Sequence, residues 1–424
     1  MEMLNSERHL RPHLAQNFLS AIDATGGIIT VDNTEACAVA LVRDAILGNA
    51  SDIHFLPCDD VIHIRLRIDG RLLDAVRMPT HQAIRIVRHF KTLSDLDPMP
   101  AMTPLVARRS IDVDGRTIDI RVATVPSIGG EKMVLRLLNR RQLQHRVHEL
   151  GMHDEELDEI RRWLRHVTGM FVVTGPTGSG KTTTLYALLQ ELRLHERSVV
   201  TIENPVEYRV DGITQIQVDE HHQLTFSEGV RATLRLDVDY ILLGEVRDAA
   251  SAHAAMEASS TGRTLMTTMH ARDAVGAVTA LRNWGLSDHE IATAMEVVIA
   301  QRLVRKLCTN CRIHESPRDD EAEWLHSLKI PVPEVTWHAG ACDDCRGLGY
   351  LGRTGIFEVW RVSAEDYHAI VEHCDERSLR EQLARRGHRA LLTNGMTVAT
   401  DGTTSLDELR QLGAFFVPPI GDQT

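Results

Sequence analysis

A glycine-rich segment near the middle of the chain has the residue types and the spacing of a loop that binds phosphate. It fits the pattern G-x-x-x-x-G-K-[ST], follows an apolar, strand-like run and precedes a stretch that favours a helix. Glycines let backbone N–H groups point at phosphate oxygens, the lysine adds charge near the outer phosphates, and the threonine can ligate Mg²⁺. An ordinary glycine-rich turn is the alternative. We predict ATP binding by Gly175, Pro176, Thr177, Gly178, Ser179, Gly180, Lys181, Thr182 and Thr183.

Polar side chains also follow three other short apolar runs. Glu203, Glu245 and His270 each come after such a run. Ligands of an open parallel sheet bind beyond the carboxyl ends of its strands, so we expect these side chains to meet at the nucleotide. Glu245 is predicted to act as the general base, His270 to sense the γ-phosphate and Glu203 to assist with Mg²⁺. The alternatives are a solvated strand cap for each carboxylate and a structural role for the histidine.

A phosphoryl group in transfer needs more positive charge than one lysine provides. Arginines near the third apolar run and in the preceding part of the chain are candidates for this role. For each of them the alternative is a solubilising surface residue, because sequence does not show which side chains converge. The candidates are Arg231, Arg235, Arg247, Arg121 and Arg136.

Four of the seven cysteines form two closely spaced pairs. Cys308 and Cys311 make one pair, Cys342 and Cys345 the other, and 30 residues separate the pairs. Two turns that each present two thiolates can complete a tetrahedron around Zn²⁺, so this spacing predicts a structural zinc module. Redox pairs or idle thiols are the alternatives. No chemistry is assigned to the remaining cysteines, Cys37, Cys58 and Cys374.

Composition restricts the class of protein. The chain has 424 residues, 43% of them apolar, which suggests two to four domains. A net charge of −12 and only 4% aromatic residues disfavour a surface that tracks phosphates and stacks bases, so no direct nucleic-acid partner is expected. No apolar run approaches the ~20 residues of a membrane helix, and the polar start does not fit a signal peptide. We expect a cytosolic protein that associates peripherally with a membrane.

The pattern of apolar and polar residues changes along the chain. Alternating stretches and an Asp114-Gly115 hairpin signal lie between residues 51 and 138, and a helix is expected at 82–93. From residue 169 onward, strand-like runs alternate with helical lengths, which favours an α/β domain with a parallel sheet. We predict a tail or a loose helix at 1–24, an α/β domain at 25–138, a linker at 139–151, an ATPase domain at 152–307, a zinc module at 308–352 and a helical region at 353–424.

Taken together, these motifs resemble the secretion ATPase superfamily, which includes type II secretion and type IV pilus assembly motors and pilus retraction ATPases. The resemblance covers roughly four fifths of the chain, and such motifs rarely occur together by chance. Besides the phosphate loop, it is carried by residues 50–55, 119–122, 130–138, 201–208, 244–248, 261–274, 301–308, 352–358 and 401–408.

The resemblance implies a RecA-like ATPase domain preceded by a smaller, PAS-like α/β domain and followed by the zinc module and a helical tail. It further implies a homohexamer at the cytoplasmic face of the inner membrane, acting with ATP, Mg²⁺ and Zn²⁺ on a membrane platform protein. Arg121 and Arg136 match family positions that reach the nucleotide, and Arg231 and Arg235 match arginines that precede the Walker B segment.

Within the superfamily, the cysteine pairs favour pilus assembly or secretion over retraction, because retraction ATPases generally lack them. A conjugation or nucleic-acid translocation motor with the same core is a different possibility. A third is a nucleotide-binding scaffold without turnover, since Asn204 replaces the aspartate that is usual in the family's aspartate box.

Overall fold

The computed structural model describes residues 11–138, 145–164, 168–192 and 196–413. The chain divides into two compact units, residues 1–142 and 143–424. Among the helices within the described ranges, none is long and apolar enough to cross a membrane.

The first unit is built on a six-stranded antiparallel sheet. Its strands are β1 Ala50–Cys58, β2 Val61–Ile68, β3 Arg71–Pro79, β4 Leu105–Val113, β5 Arg116–Ser127 and β6 Gly130–Leu138. They lie in the order β3-β2-β1-β6-β5-β4. The predicted hairpin joins β4 to β5, with positive φ at both Asp114 and Gly115. Alternate residues of the strands, including Ile53, Phe55 and Ile64, are buried because helices α2 Thr34–Leu47 and α3 Thr80–Leu93 pack on that face.

The amino-terminal segment was predicted as a tail or a loose helix, and its described part contains a packed helix. Within its described part, helix α1 Gln16–Asp23 packs against α2, with Phe18 and Ile22 buried. The carboxylate of Asp44 accepts hydrogen bonds from the backbone N–H groups of Asn17 (3.2 Å) and Phe18 (2.8 Å), which caps the first turn of α1. The helix is too short for its apolar face to show as a period in the sequence.

The second unit contains a seven-stranded sheet that carries all four predicted strands. These are β7 Gly169–Thr174, β8 Val199–Glu203, β10 Tyr240–Leu243 and β11 Thr264–Met269; the others are β9 Thr214–Gln217, β12 Met295–Leu307 and β15 Tyr350–Arg361. The order is β15-β12-β7-β11-β10-β8-β9, with every pair parallel except β15 and β12.

The unbroken apolar runs form central strands because both sheet faces are covered. In β7, Met170 and Val172 belong to one core cluster, whereas Phe171 and Val173 belong to another. The helices of this unit are α4 Asp154–Leu164, α5 Lys181–Glu191, α6 Phe226–Thr233, α7 Ala249–Ser260, α8 Gly276–Asn283, α9 Asp288–Ala294, α10 Asp319–Ser327, α11 Ala364–Val371, α12 Glu376–Arg385, α13 Leu391–Thr400 and α14 Leu406–Gln411.

Three predicted segments differ from the structure of this unit. The region expected to be helical from residue 353 begins with residues 353–361 of β15 and becomes helical only from Ala364. The module predicted at 308–352 contains a small antiparallel pair, β13 Ile313–Glu315 and β14 Thr336–His338, together with α10, and its last three residues belong to β15. Of the predicted linker, residues 139–144 lie outside the described residues. Val147 and Leu150 are buried in a core cluster of this unit, so they are not part of a linker.

Candidate functional site

The phosphate loop joins the carboxyl end of β7 to the first residue of α5. Gly175, with a φ of 154°, lies so close to β12 that a Cβ atom would be 2.5 Å from the carbonyl oxygen of Gln301. Only glycine fits there. Lys181 Nζ donates hydrogen bonds to the carbonyl oxygens of Gly175 (2.7 Å) and Pro176 (3.1 Å). Thr182 is exposed in the first turn of α5, as ligation of a metal ion by its hydroxyl requires.

The other predicted loop residues differ in exposure. Thr177 and Gly178 are exposed at the tip, whereas Ser179 is buried and Thr183 is half-buried. Gly178 and Gly180 both have positive φ, which suits a backbone that curls around an anion.

Glu245 and His270 meet beside this loop. Glu245 follows β10 and His270 follows β11, and His270 Nε2 is 2.9 Å from Glu245 Oε1. His270 Nδ1 contacts the carbonyl oxygen of Gly175 at 3.0 Å, the same oxygen that accepts from Lys181. Arg247 Nε donates to the second oxygen of Glu245 at 2.8 Å. The structure thus brings together three of the strand ends that the sequence singled out.

The two ring nitrogens of His270 have different partners. A carbonyl oxygen only accepts a hydrogen bond, so the contact with Gly175 places a proton on Nδ1. Nε2 faces the carboxylate of Glu245. His270 therefore connects the phosphate loop to Glu245.

The environment of Lys181 changes its acidity. Burial lowers the pKa of this side chain to about 8, the charge of Glu245 opposes the shift, and the positive charge of Arg302 adds to it. An anionic ligand that contacts the ammonium group compensates for both unfavourable effects. The site is therefore electrostatically suited to a phosphate.

Glu203 has a different set of contacts. Its buried carboxylate accepts hydrogen bonds from the hydroxyl groups of Tyr186 (2.5 Å) and Thr201 (2.6 Å) and from Gln215 Nε2 (3.4 Å). Burial, reinforced by the negative charge of Glu203, raises the pKa of Tyr186. Because Tyr186 lies on α5, these contacts join β8 to the helix that follows the phosphate loop. They favour a positioning role for Glu203 over direct contact with the nucleotide.

The arginines that precede β10 lie on the surface. Arg231, near the end of α6, is exposed and pairs with Glu228 at 2.7 Å, and Arg235 is exposed in the following turn. The ion pair of Arg231 does not involve the phosphate loop. Arg247, in contrast, holds Glu245 and lies over the ring of Phe226, 5.2 Å from its centroid.

Arg121 and Arg136 belong to a row of charges across the sheet of the first unit. They lie directly opposite each other on β5 and β6, and Arg108 lies opposite Arg121 on β4. Arg136 Nε is 3.1 Å from one oxygen of Asp52, whose other oxygen is 3.8 Å from Arg67 Nε. Like charges on directly opposed residues destabilise a sheet. The strand pairing thus places four arginines and one aspartate in one row across the sheet.

Sequence reasoning missed one cation beside the loop. Arg302 lies on β12, is buried, and has an atom so near Gly175 that a Cβ atom there would be 3.0 Å from Nη1. The apolar run 297–300 that precedes Gln301 and Arg302 is the same kind of signal that identified the other strand ends. It indicates that a strand begins there, but not that this strand lies beside the phosphate loop.

The four paired cysteines come together in the second unit. Their sulfur atoms all lie within 4.8 Å of one another, and three of the Sγ···Sγ distances are 3.7 Å. A tetrahedron of thiolates around Zn²⁺, with Zn–S bonds of about 2.3 Å, has edges of about 3.8 Å. The backbone N–H of Gly349 also donates to Cys345 Sγ at 3.2 Å. The residues present fit a zinc ion.

Comparison with known proteins places the chain among secretion ATPases. It matches the Type II/IV secretion system protein family over residues 32–411. It is 38% identical over 373 residues to the type II secretion system ATPase E of Vibrio cholerae, covering 88% of this chain and 74% of that protein. It is 36% identical over 375 residues to the type IV pilus assembly ATPase PilB of Pseudomonas aeruginosa, covering 88% and 66%.

Solved structures share the fold. The Legionella pneumophila ATPase DotB has a TM-score of 0.65 at 20% identity, covering 88% of this chain and 94% of that one. The pilus retraction motor PilT has a TM-score of 0.60 at 19% identity, covering 88% and 96%. The predicted α/β fold class is confirmed. Because the family match and the relatives extend over most of its length, the chain belongs to the type II/IV secretion system protein family.

Proposed function

We propose that this protein hydrolyses ATP with Mg²⁺ and thereby drives type IV pilus assembly or type II protein secretion. The observation that carries the proposal is the meeting of Lys181 and His270 on the carbonyl oxygen of Gly175, with Glu245 2.9 Å from His270. Relatives named as a type II secretion ATPase and a pilus assembly ATPase support both the reaction and the process.

In this mechanism the loop amides and Lys181 hold the outer phosphates of ATP, and Thr182 would hold Mg²⁺. When bound, the metal ion would supply positive charge at the phosphate oxygens, where negative charge develops. Glu245 accepts a proton from the attacking water while the new P–O bond forms and the bond between the γ-phosphorus and the β–γ bridging oxygen breaks. His270 donates to the γ-phosphate, which releases the carboxylate of Glu245 to contact water. The pair thus couples recognition of the γ-phosphate to activation of water.

Substitution of the proposed base tests this mechanism. We expect Glu245→Gln to retain ATP binding and to lower turnover by on the order of 10²-fold or more, because only the proton acceptor is lost. Glu257→Gln, an exposed site on α7, removes the same charge and should leave turnover unchanged. Phosphate release and nucleotide affinity are measured for both variants. Normal turnover in Glu245→Gln would exclude Glu245 as the base.

The four-cysteine cluster is proposed to hold a structural Zn²⁺ ion in the module formed by β13, β14 and α10. All four thiolates would be ligands, which closes the coordination sphere and leaves no position for a reacting molecule. The ion would then stabilise a small module that has little apolar core of its own. This cluster supports pilus assembly or secretion rather than retraction.

The working form is proposed to be a cytosolic homohexamer docked on a platform protein at the cytoplasmic face of the inner membrane. Deletion of the gene should abolish surface pili or exoprotein release, and Glu245→Gln should fail to restore either. If Glu245→Gln restored pili or exoprotein release, the process would not depend on ATP turnover by this protein. Stimulation of turnover by DNA would favour a nucleic-acid motor instead, which the net charge of −12 disfavours.

A further inference from the structure

Strand β12 continues past the end of β7 and runs beside the phosphate loop. Ala300 on β12 is paired with Thr174, the last residue of β7. The next two residues, Gln301 and Arg302, therefore lie level with the start of the loop. Both are almost completely buried, although glutamine and arginine rarely are.

Gln301 forms a wall of the loop. Its side-chain oxygen accepts a hydrogen bond from the hydroxyl of Thr184 at 2.7 Å. A Cβ atom added at Gly180 would lie 2.7 Å from its Nε2, and one added at Gly175 would lie 2.5 Å from its carbonyl oxygen. The loop thus rests against β12 at both of its ends.

Arg302 joins this wall to the segment that carries His270. Its Nη1 donates to the carbonyl oxygen of Gln301 at 2.8 Å, and its Nη2 donates to that of Arg272 at 2.5 Å. Arg272 is only two residues beyond His270. One guanidinium group therefore spans the phosphate-loop wall and the loop after β11.

The free-energy cost of burying the charge of Arg302 indicates that this residue has a functional role. Burial lowers the pKa of Arg302 to about 10, while the charges of Asp273 and Glu358 oppose the shift. A second buried cation also disfavours the charge on Lys181 in the same site. A buried charge is costly unless it is held by well-placed partners. Replacement by an apolar residue would remove that cost but would also remove the link to Arg272.

We propose that Arg302 is a positioning residue for ATP hydrolysis, which sets the separation between the phosphate loop and His270. His270 and Lys181 share the carbonyl oxygen of Gly175, so a shift of the Arg272 segment would displace His270 from Gly175 and Glu245. The inference rests on the proposed ATPase activity and extends it to a residue that does not itself contact the reacting atoms.

A double-mutant cycle with His270 tests this role in the full-length protein. Arg302→Gln should lower kcat by on the order of 10- to 100-fold, because a small misplacement of a catalytic group has effects of that size. Affinity for ATP should change by less than about threefold, since the loop amides and Lys181 remain. In a His270→Ala background, Arg302→Gln should have almost no further effect on kcat, because its effect passes through His270.

Arg305 provides a matched control on the same strand. It is also buried, but it pairs with Glu408 and lies over the ring of Tyr350. Arg305→Gln should lower the melting temperature and leave kcat of the folded protein unchanged. Equal losses of kcat for the two arginines, or additive effects of Arg302→Gln and His270→Ala, would overturn the proposal.

A conservative variant keeps the test decisive if Arg302→Gln does not fold. Lysine retains the charge but cannot donate to two separate carbonyl groups in the geometry of a guanidinium. Arg302→Lys should therefore bind ATP normally and still lower kcat, and the loss should again disappear in the His270→Ala background. A normal kcat for Arg302→Lys would overturn the role. Absence of turnover in the unmodified protein would instead contradict the proposed ATPase function.

Discussion

At the scale of single residues, Lys181 shows how the site is prepared for an anion. Its ammonium group has the carbonyl oxygens of Gly175 and Pro176 as partners, and burial lowers its pKa to about 8. A bound triphosphate stabilises the charged form, so the pKa in the complex must exceed that in the free protein. Binding above pH 8 is therefore accompanied by uptake of a proton.

This linkage predicts the pH dependence of ATP binding. Between about pH 7.5 and 9.5 the affinity should fall, approaching a tenfold loss per pH unit above the pKa of the free protein, because the uncharged amine must first gain a proton. Lys181→Arg stays charged over this range and should remove most of that slope. Titration calorimetry in buffers of different ionisation enthalpy measures both affinity and proton uptake. Equal slopes for the two proteins would exclude Lys181 as the titrating group.

At the scale of elements, the sequence predicted those strands whose apolar runs are unbroken. Strands β7, β8, β10 and β11 are buried on both faces, so each appears as a short run of apolar or β-branched residues. Strands β12 and β15 were missed because they carry several charged residues, such as Arg302, Arg305 and Arg353. Their pairing also joins segments that are separated by the whole cysteine module. No local pattern contains that information.

The site was predictable to the same extent. The phosphate loop, Glu245 and His270 each follow an apolar run. Because ligands bind at the carboxyl ends of parallel strands, the sequence alone predicted that these residues lie close together. That rule also selected Glu203, whose contacts with Tyr186, Thr201 and Gln215 depend on tertiary packing. Which arginine would be buried at the loop depends on strand order, and the sequence did not supply the position of β12.

The cysteine module gives a prediction at this scale. Cys308→Ser should reduce bound zinc from about one ion per chain to almost none. It should also lower the melting temperature, because the free energy of zinc binding contributes to the folding of such modules. Cys374→Ser, which changes a free cysteine outside the cluster, should alter neither quantity. Metal analysis and thermal unfolding of the two variants measure these effects. Full zinc content in Cys308→Ser would contradict the ligand assignment.

At the scale of the whole molecule, the cations proposed for catalysis are distributed unevenly. Lys181, Arg247 and Arg302 lie at the phosphate loop or at Glu245, whereas Arg231 and Arg235 are exposed elsewhere on the same unit. Exposed arginines stabilise charge in a reaction only if a ligand or a second molecule covers them. In the proposed hexamer, a neighbouring copy supplies that second molecule.

This distribution predicts that Arg231 and Arg235 serve the site of another copy. Arg231→Ala/Arg235→Ala and Lys181→Ala should each be inactive alone, but mixed hexamers of the two should regain part of the normal turnover, because some sites then combine an intact loop with intact arginines. Lys181→Ala mixed with Glu245→Gln should regain none, since both groups belong to one cluster within one chain. Phosphate release is measured after mixed hexamers are verified by native mass spectrometry. Mixed hexamers of the first pair that stay inactive would show that these arginines do not act between copies.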